Sequence, residues 1–281
     1  MKKLVFAFAL LLSFSVFQSC EKDPIENPEE QVAPTLPPAE SFIMPFTGYG
    51  DIDTTGLIHN GELDERGGPT SFRNWFYAGS NIVVWNVILG VNMAIPVASF
   101  LEAFNHDAVY DGQGAFIWSY DFTLGNGTFQ AELSARLINN NQDVEWVMNI
   151  SKVGGFTNVE WYRGVTSRDN SRATWTLNHR PNNPEPLIEI LHERDITTNQ
   201  ISTRYTNLIP NDDNNGDYIE YQTSINSDFN RSYDVFRANT NELLEIEWNA
   251  PSREGRVRNS NFFNDNDWHC WDQDLRDTDC Q

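Results

Sequence analysis

Residues 127–138 read GTFQAELSARLI. Phe129, Ala131, Leu133, Ala135 and Leu137 fall on one side of an extended chain, and Gln130, Glu132, Ser134 and Arg136 on the other. That is the period of a strand with one buried face. The same alternation recurs outward from it. Leu244, Ile246 and Trp248 oppose Glu245 and Glu247, and further strand candidates run over 115–123, 143–152, 157–166, 171–180, 187–196, 200–209, 217–226, 231–238, 242–249 and 255–261. Between them lie short Asn- and Gly-rich turns, among them Gly125-Asn126-Gly127, Asn139-Asn140-Asn141, Gly154-Gly155, Arg168-Asp169-Asn170 and Asn239-Thr240-Asn241. Such residues tolerate positive φ and suit antiparallel neighbours. About eleven strands with no intervening helix length exclude a parallel sheet, whose crossovers need a dozen or more residues. The expected sheet is an antiparallel up-and-down meander.

Upstream, residues 82–104 (IVVWNVILGVNMAIPVASFLEAF) form the most apolar window after the amino-terminal leader. Asn86, Asn92, Pro96 and Glu102 interrupt it and no basic cluster flanks it, which argues against a membrane span. The pattern predicts two helices, 74–89 and 94–104, broken near Gly90, with Pro96 tolerated in the first turn of the second. The first is apolar almost all round and is expected to be enclosed. The predicted fold class is therefore mainly β (α+β): an open or half-closed barrel wrapped around amino-terminal helices. Its lumen would be filled by Ile82, Val83, Trp85, Val87, Ile88 and Leu89, leaving little room for a ligand.

The chain has 281 residues, 40 acids against 19 bases and a net charge of -21. Phosphate backbones would repel it, so no nucleic acid is expected as a partner. Lys2 and Lys3 precede an apolar stretch, Leu4 to Phe17, that is too short to span a bilayer and ends at Gln18, Ser19 and Cys20. This has the form of a secretory signal. It resembles the signal of bacterial lipoproteins, in which a small residue precedes a cysteine that is acylated and becomes the first residue of the mature chain. The resemblance implies lipidation at Cys20, a signal peptide over 1–19, and anchorage to the outer membrane on its periplasmic or cell-surface side. Glu21, Lys22 and Asp23 resemble the surface-export signal of Bacteroidota lipoproteins. Residues 20–41 are rich in Pro and acids and read as an extended tether. Residues 42–281 read as one globular domain: 42–80 irregular, helices within 74–104, the meander over 115–261, and a tail over 262–281.

Three cysteines in an oxidising compartment leave one unpaired unless Cys20 is acylated. Cys270 and Cys280 are then expected to form a disulfide, worth about 3 kcal/mol by loop closure. A metal site from His269 with those two cysteines offers three ligands at most. Five histidines at 59, 106, 179, 192 and 269 make no HExxH or HxH pattern. His192 shares a strand face with Ile188, Ile190 and Arg194 and reads as a hydrogen-bonded residue at the core edge. No GxSxG, Walker loop or dinucleotide fingerprint occurs. Glu245 and Glu247 sit two apart on one strand face, within reach of a glycosidase spacing. They partly resemble the acidic strand of laminarinase-like hydrolases, but Ala250 stands where the last carboxylate belongs. A solvated strand face explains them equally well. Asn211 to Asp217 (NDDNNGD) faintly resembles a calcium loop, with Gln222 where its closing Glu belongs, and reads as a type I′ hairpin turn. Trp118, Trp146, Trp161, Trp175 and Trp248 suggest either core filling or a sugar-stacking platform.

The sequence thus predicts a non-catalytic, lipid-anchored envelope lipoprotein with a binding or scaffolding role. Its contacts would be the membrane, through the amino-terminal lipid, and a protein or glycan partner on the convex face, with no cofactor and no metal. Two alternatives remain: a periplasmic carrier of lipid or another apolar ligand held in the concave sheet, with the helices as a lid, and a polysaccharide-binding or polysaccharide-degrading surface protein.

Overall fold

A computed structural model describes residues 32–46, 71–225 and 228–280. The signal, Cys20 and the first part of the tether lie outside the described residues, as does His59. Two helices, α1 (Arg73–Asn92) and α2 (Ala94–Glu102), precede the sheet. The strands follow in chain order: β1 (Val109–Tyr110), β2 (Ala115–Leu124), β3 (Gly127–Ile138), β4 (Asp143–Lys152), β5 (Val159–Ser167), β6 (Arg172–His179) and β7 (Glu185–Arg194). Then come β8 (Ile201–Asn207), β9 (Tyr218–Thr223), β10 (Arg231–Arg237), β11 (Glu242–Trp248) and β12 (Gly255–Arg258). The short helix α3 (Ser260–Phe263) leads to β13 (His269–Trp271) and β14 (Asp277–Thr278).

Among the described residues, fourteen strands form one antiparallel sheet in sequence order, and its two ends do not pair, so it is open rather than a closed barrel. The strand count exceeds the expected eleven by β1, β13 and β14. These have two or three residues each, too few for a period of two to register. Positive φ at Asn139, Asn140, Asn141, Asn170 and Asn241 confirms the turn chemistry. Across β2 and β3, Phe116 faces Ala135, Trp118 faces Leu133, Tyr120 faces Ala131 and Phe122 faces Phe129. Large residues on one strand thus meet mostly smaller ones on the next, which lets the two rows interdigitate on the inner face. The core is strongly aromatic: Trp146, Trp175, Trp271, Tyr162, Tyr205 and Tyr233 are fully enclosed.

α1 packs on β12, β13 and β14, and α2 packs on β2. The helix pair therefore spans the opening between the two ends of the sheet. The start of α1 has no side-chain cap of its own. Asp277, on β14, supplies one: its carboxylate accepts from Asn74 N–H at 2.9 Å and from the Ser71 hydroxyl. A carboxylate there also meets the positive end of the helix dipole. Asn74 Nδ2 donates to the carbonyl of Cys270, which is disulfide-bonded to Cys280. The expected disulfide is thus present, and it ties down the element that caps α1.

Enclosure of α1 is overturned. Ala78, Ile82, Trp85 and Leu89 are buried, but Val84, Val87, Ile88 and Val91 are exposed, from 43% at Ile88 to 75% at Val91. The helix buries one stripe only, so Val87 and Ile88 do not fill a lumen. The break falls at Met93, three residues beyond Gly90, with Pro96 in the first turn of α2 as expected.

Candidate functional site

The space assigned to α1 is taken by another segment. Residues 33–46, read from composition as the end of the tether and the start of a loop region, run into the core. Phe42 is fully buried, stacks on Phe100 at 4.6 Å and meets the edge of Trp175 at 5.3 Å. Two buried tyrosines pin the backbone of this strap: Tyr205 OH donates to Phe42 O and Tyr233 OH to Pro45 O, each at 2.7 Å. Burial pushes both phenols far up, so they remain donors.

Beside the strap is an open hollow of about 530 Å³. Met44, Pro45 and Phe46 form one wall, Leu89, Met93 and Val97 the other, and Tyr205 also lines it. Among the described residues, Asn86 and Tyr205 are the polar side chains of the lining, and no carboxylate, amine, guanidinium or imidazole belongs to it. A hollow of this size lies within the range of small-molecule sites, about 300–1,000 Å³. Its chemistry suits an uncharged, apolar occupant. The expected filling is therefore corrected in its residues: Phe42 rather than Val87 and Ile88 occupies the interior, and the hollow opens beside it. Sequence reasoning missed the site because its walls come from residues far apart in the chain; the Met44–Phe46 wall carried no period to reveal it.

The other face of the sheet is polar, and there the two glutamates noted in the sequence are found. Glu245 accepts from Arg258 at 2.7 Å through both carboxylate oxygens, and Glu247 accepts from Arg256 at 2.7 Å. Both guanidiniums lie over the ring of Trp268, at 4.3 and 4.5 Å. Register places Arg204, Glu220, Asp234, Glu245 and Arg258 opposite one another across β8 to β12. Arg204 binds Glu220 at 2.9 Å and stacks over Tyr218 at 4.4 Å. Asp234, in the middle, is hemmed in by acids: burial first, then Glu220, Glu245 and Glu247, raise its pKa to about 6. Among the described residues no donor bonds to its carboxyl. Sequence reading found Glu245 and Glu247 but not Asp234 or Glu220, since only the register of β9 to β11 brings them together.

The remaining sequence candidates have structural roles. Cys270 and Cys280 are joined, and His269 pairs with Asp265 at 3.0 Å while stacking on Phe263, so they do not form a metal site. Among the described residues no cluster of three metal-ligating side chains occurs. His192 is fully buried, with Nδ1 2.8 Å from Thr203 Oγ1 across the strand pair, and burial lowers its pKa to about 4. Asn211 to Asp217 belongs to a longer connection between β8 and β9, not a two-residue type I′ turn. Part of it is engaged in the fold: Asn214 N–H donates to Asp212, Asn215 Nδ2 to Ile209 O, and Asp217 accepts from Ala238 N–H. Trp118, Trp146, Trp161, Trp175 and Trp248 are all buried. They fill the core and offer no stacking platform.

Comparison with protein-family models, with curated proteins and with solved structures finds no match.

Proposed function

We propose that this protein is a non-catalytic, lipid-anchored lipoprotein of the bacterial outer membrane that binds an apolar ligand in the hollow between the 42–46 strap and the α1–α2 elbow. The observation that carries the reading is that open hollow of about 530 Å³, with no charged side chain among its described lining residues. The lipoprotein signal ending at Cys20 supports the anchorage. Burial of an apolar ligand against Met44, Phe46, Leu89, Met93 and Val97 would supply the binding energy, at about 25 cal/mol per Å² of surface removed from water. Glu245 and Glu247, the sequence candidates for glycoside chemistry, are each engaged by an arginine, which favours the non-catalytic reading. This shifts the preference from partner docking toward the cargo-holding alternative.

The test is mass spectrometry of organic extracts from purified protein, with binding of an apolar fluorophore as the quantitative readout. The expected result is a reproducible co-purifying apolar molecule, displaced by the fluorophore. In Val97→Trp, which fills the hollow from α2, both signals are expected to fall while the circular dichroism is retained. Blank extracts, together with equal fluorophore binding by parent and variant, would overturn the reading.

A further inference from the structure

The amino-terminal edge of the sheet is open along most of β2. β1 pairs only Val109 with Ile117 and Tyr110 with Phe116, so residues 118–124 have a neighbouring strand on one side alone. Hydrogen bonds at the two ends of β2 show which residues face the empty side. Ala115 turns outward: its N–H donates to Asp111 Oδ1 and its carbonyl accepts from Asp111 N–H. Thr128 on β3 turns its carbonyl to Val153 N–H, away from β2, so Gly127 and Phe129 are the residues bonded to their partners Leu124 and Phe122. The direction alternates with every residue of an antiparallel ladder. Ser119, Asp121 and Thr123 therefore hold their N–H and C=O groups out at the free edge, over roughly 13 Å of strand. Among the described residues no backbone group bonds to them there. Such a row is a template for one more strand.

The surroundings say which strand fits. Between α2 and this edge is a hollow of about 360 Å³ lined by Ala98, Glu102, Asp121, Phe122, Thr123 and Thr128, so α2 stands beside the edge without sealing it. On the outer face Asp121 and Glu132 border a second hollow, of about 460 Å³, together with Ser119, Gln130 and Asn149. Elsewhere on that face Glu220, Glu245 and Glu247 are each held by an arginine across the strands, whereas Asp121 and Glu132 have no ion pair or hydrogen bond among the described residues. Glu102 is bonded to His106 at 3.1 Å. The bases of β3 and β4 stand at the ends of the stretch: Arg136 opposite Ala115, and Lys152 with its ammonium over the ring of Phe129. An added strand would thus meet an unpaired carboxylate on its outer side and Ala98 with Phe122 on its inner side. Basic residues alternating with small apolar ones match both. A second copy of this chain does not, because pairing two β2 edges brings Asp121 of each toward the other between bodies of net charge -21.

We propose that the free edge of β2, from Ser119 to Thr123, receives an extended, Lys- or Arg-bearing segment of a partner protein as an added strand, independently of any ligand beside the 42–46 strap. Backbone hydrogen bonds to Ser119, Asp121 and Thr123 would hold it, with a basic side chain on Asp121 and small apolar side chains toward Ala98 and Phe122 setting the choice of sequence.

The experiment follows amide hydrogen exchange of the full chain, residue by residue, with and without an excess of a heptapeptide of alternating Lys and Val, blocked at both ends. The peptide is expected to slow exchange at Ser119, Asp121 and Thr123 and to leave Tyr120 and Phe122, already bonded to β3, unchanged. That alternation is the signature of strand addition, which diffuse ionic association does not produce. The same heptapeptide with Glu in place of Lys should give no protection. Asp121→Pro removes one outward N–H without touching the β2–β3 ladder and should weaken peptide binding about tenfold or more, through the lost hydrogen bond and charge pair. Asp121→Asn keeps the N–H and should weaken binding less, with a shallower salt dependence. Exchange unaltered by the Lys peptide in the parent chain, or altered equally by the Glu peptide, would overturn the proposal. So would Ser119, Asp121 and Thr123 already protected without peptide, which would mean that a second copy or another part of the chain occupies the edge.

Discussion

Asp234→Asn is expected to stabilise the protein at neutral pH, an unusual outcome for losing a charge from a sheet rich in arginine. The carboxyl stands opposite Glu220 on one side and Glu245 on the other, and the nearby arginines are already bound to those glutamates. Its pKa is raised from 3.8 to about 6, burial being the first cause and the three glutamates the next. The folded state therefore binds a proton between those values that the unfolded chain does not. Stability falls as pH rises through about 6 and is recovered on acidification toward 4. Roughly two pH units at 1.36 kcal/mol each set a ceiling near 3 kcal/mol, which solvent screening of a half-buried carboxyl reduces to about 1–2 kcal/mol. An amide keeps the shape, removes the charge and can donate to either glutamate. Thermal unfolding at pH 7.5 should show Tm raised by about 3–6 °C, from about 2–4 °C per kcal/mol for a domain of this size. At pH 4.5 the native carboxyl is protonated but the unfolded one is still mostly ionised, so the gain should fall to about a third of its value at pH 7.5. A variant less stable than the parent at pH 7.5 would refute the reasoning, because it would mean that Arg204 and Arg258 attract this carboxylate more than the glutamates repel it. His192 supplies an internal contrast. Its folded pKa near 4 lies below the ordinary 6.5, so it removes stability as pH falls through that window. Asp234→Asn should therefore leave a steeper acid limb than the parent has.

Gly164 lies under Trp175, and a Cβ built there would stand 2.2 Å from the indole; Gly164→Ala should cost about 1–3 kcal/mol by overpacking, with a changed near-ultraviolet aromatic signal, and an unchanged Tm would show that the indole moves freely. Asp277→Ala removes the borrowed cap of α1 and should cost about 0.5–2 kcal/mol, with faster amide exchange over residues 73–76. Reduction of Cys270–Cys280 should accelerate exchange at the same amides. Equal protection before and after reduction would show that the tail holds Asp277 without the disulfide.

The strands were legible because a period of two is written directly in residues such as Phe129 to Leu137, and because the Asn and Gly turns fix where each strand must reverse. The disulfide was legible from cysteine parity. The fate of α1 was not. Composition shows that Val84 and Ile82 are equally apolar, and nothing local distinguishes the side that meets β12 and β13 from the side that meets solvent. An all-round apolar helix reads as enclosed, yet here Phe42, arriving from a Pro-rich stretch without periodicity, occupies the space against Phe100 and Trp175. The candidate hollow exists because that strap and the α1–α2 elbow meet without interlocking.

The sequence by itself determined which residues alternate, where the chain turns and that the sheet is antiparallel, since these depend on neighbours a few positions apart. The tertiary structure alone decided that the helices lie across the gap between the sheet's ends, that α1 keeps one apolar face uncovered, and that Asp234 sits between two glutamates. Each of those rests on contacts between strands or helices distant in the chain, whose register and packing depend on the whole set of turn lengths and side-chain volumes at once.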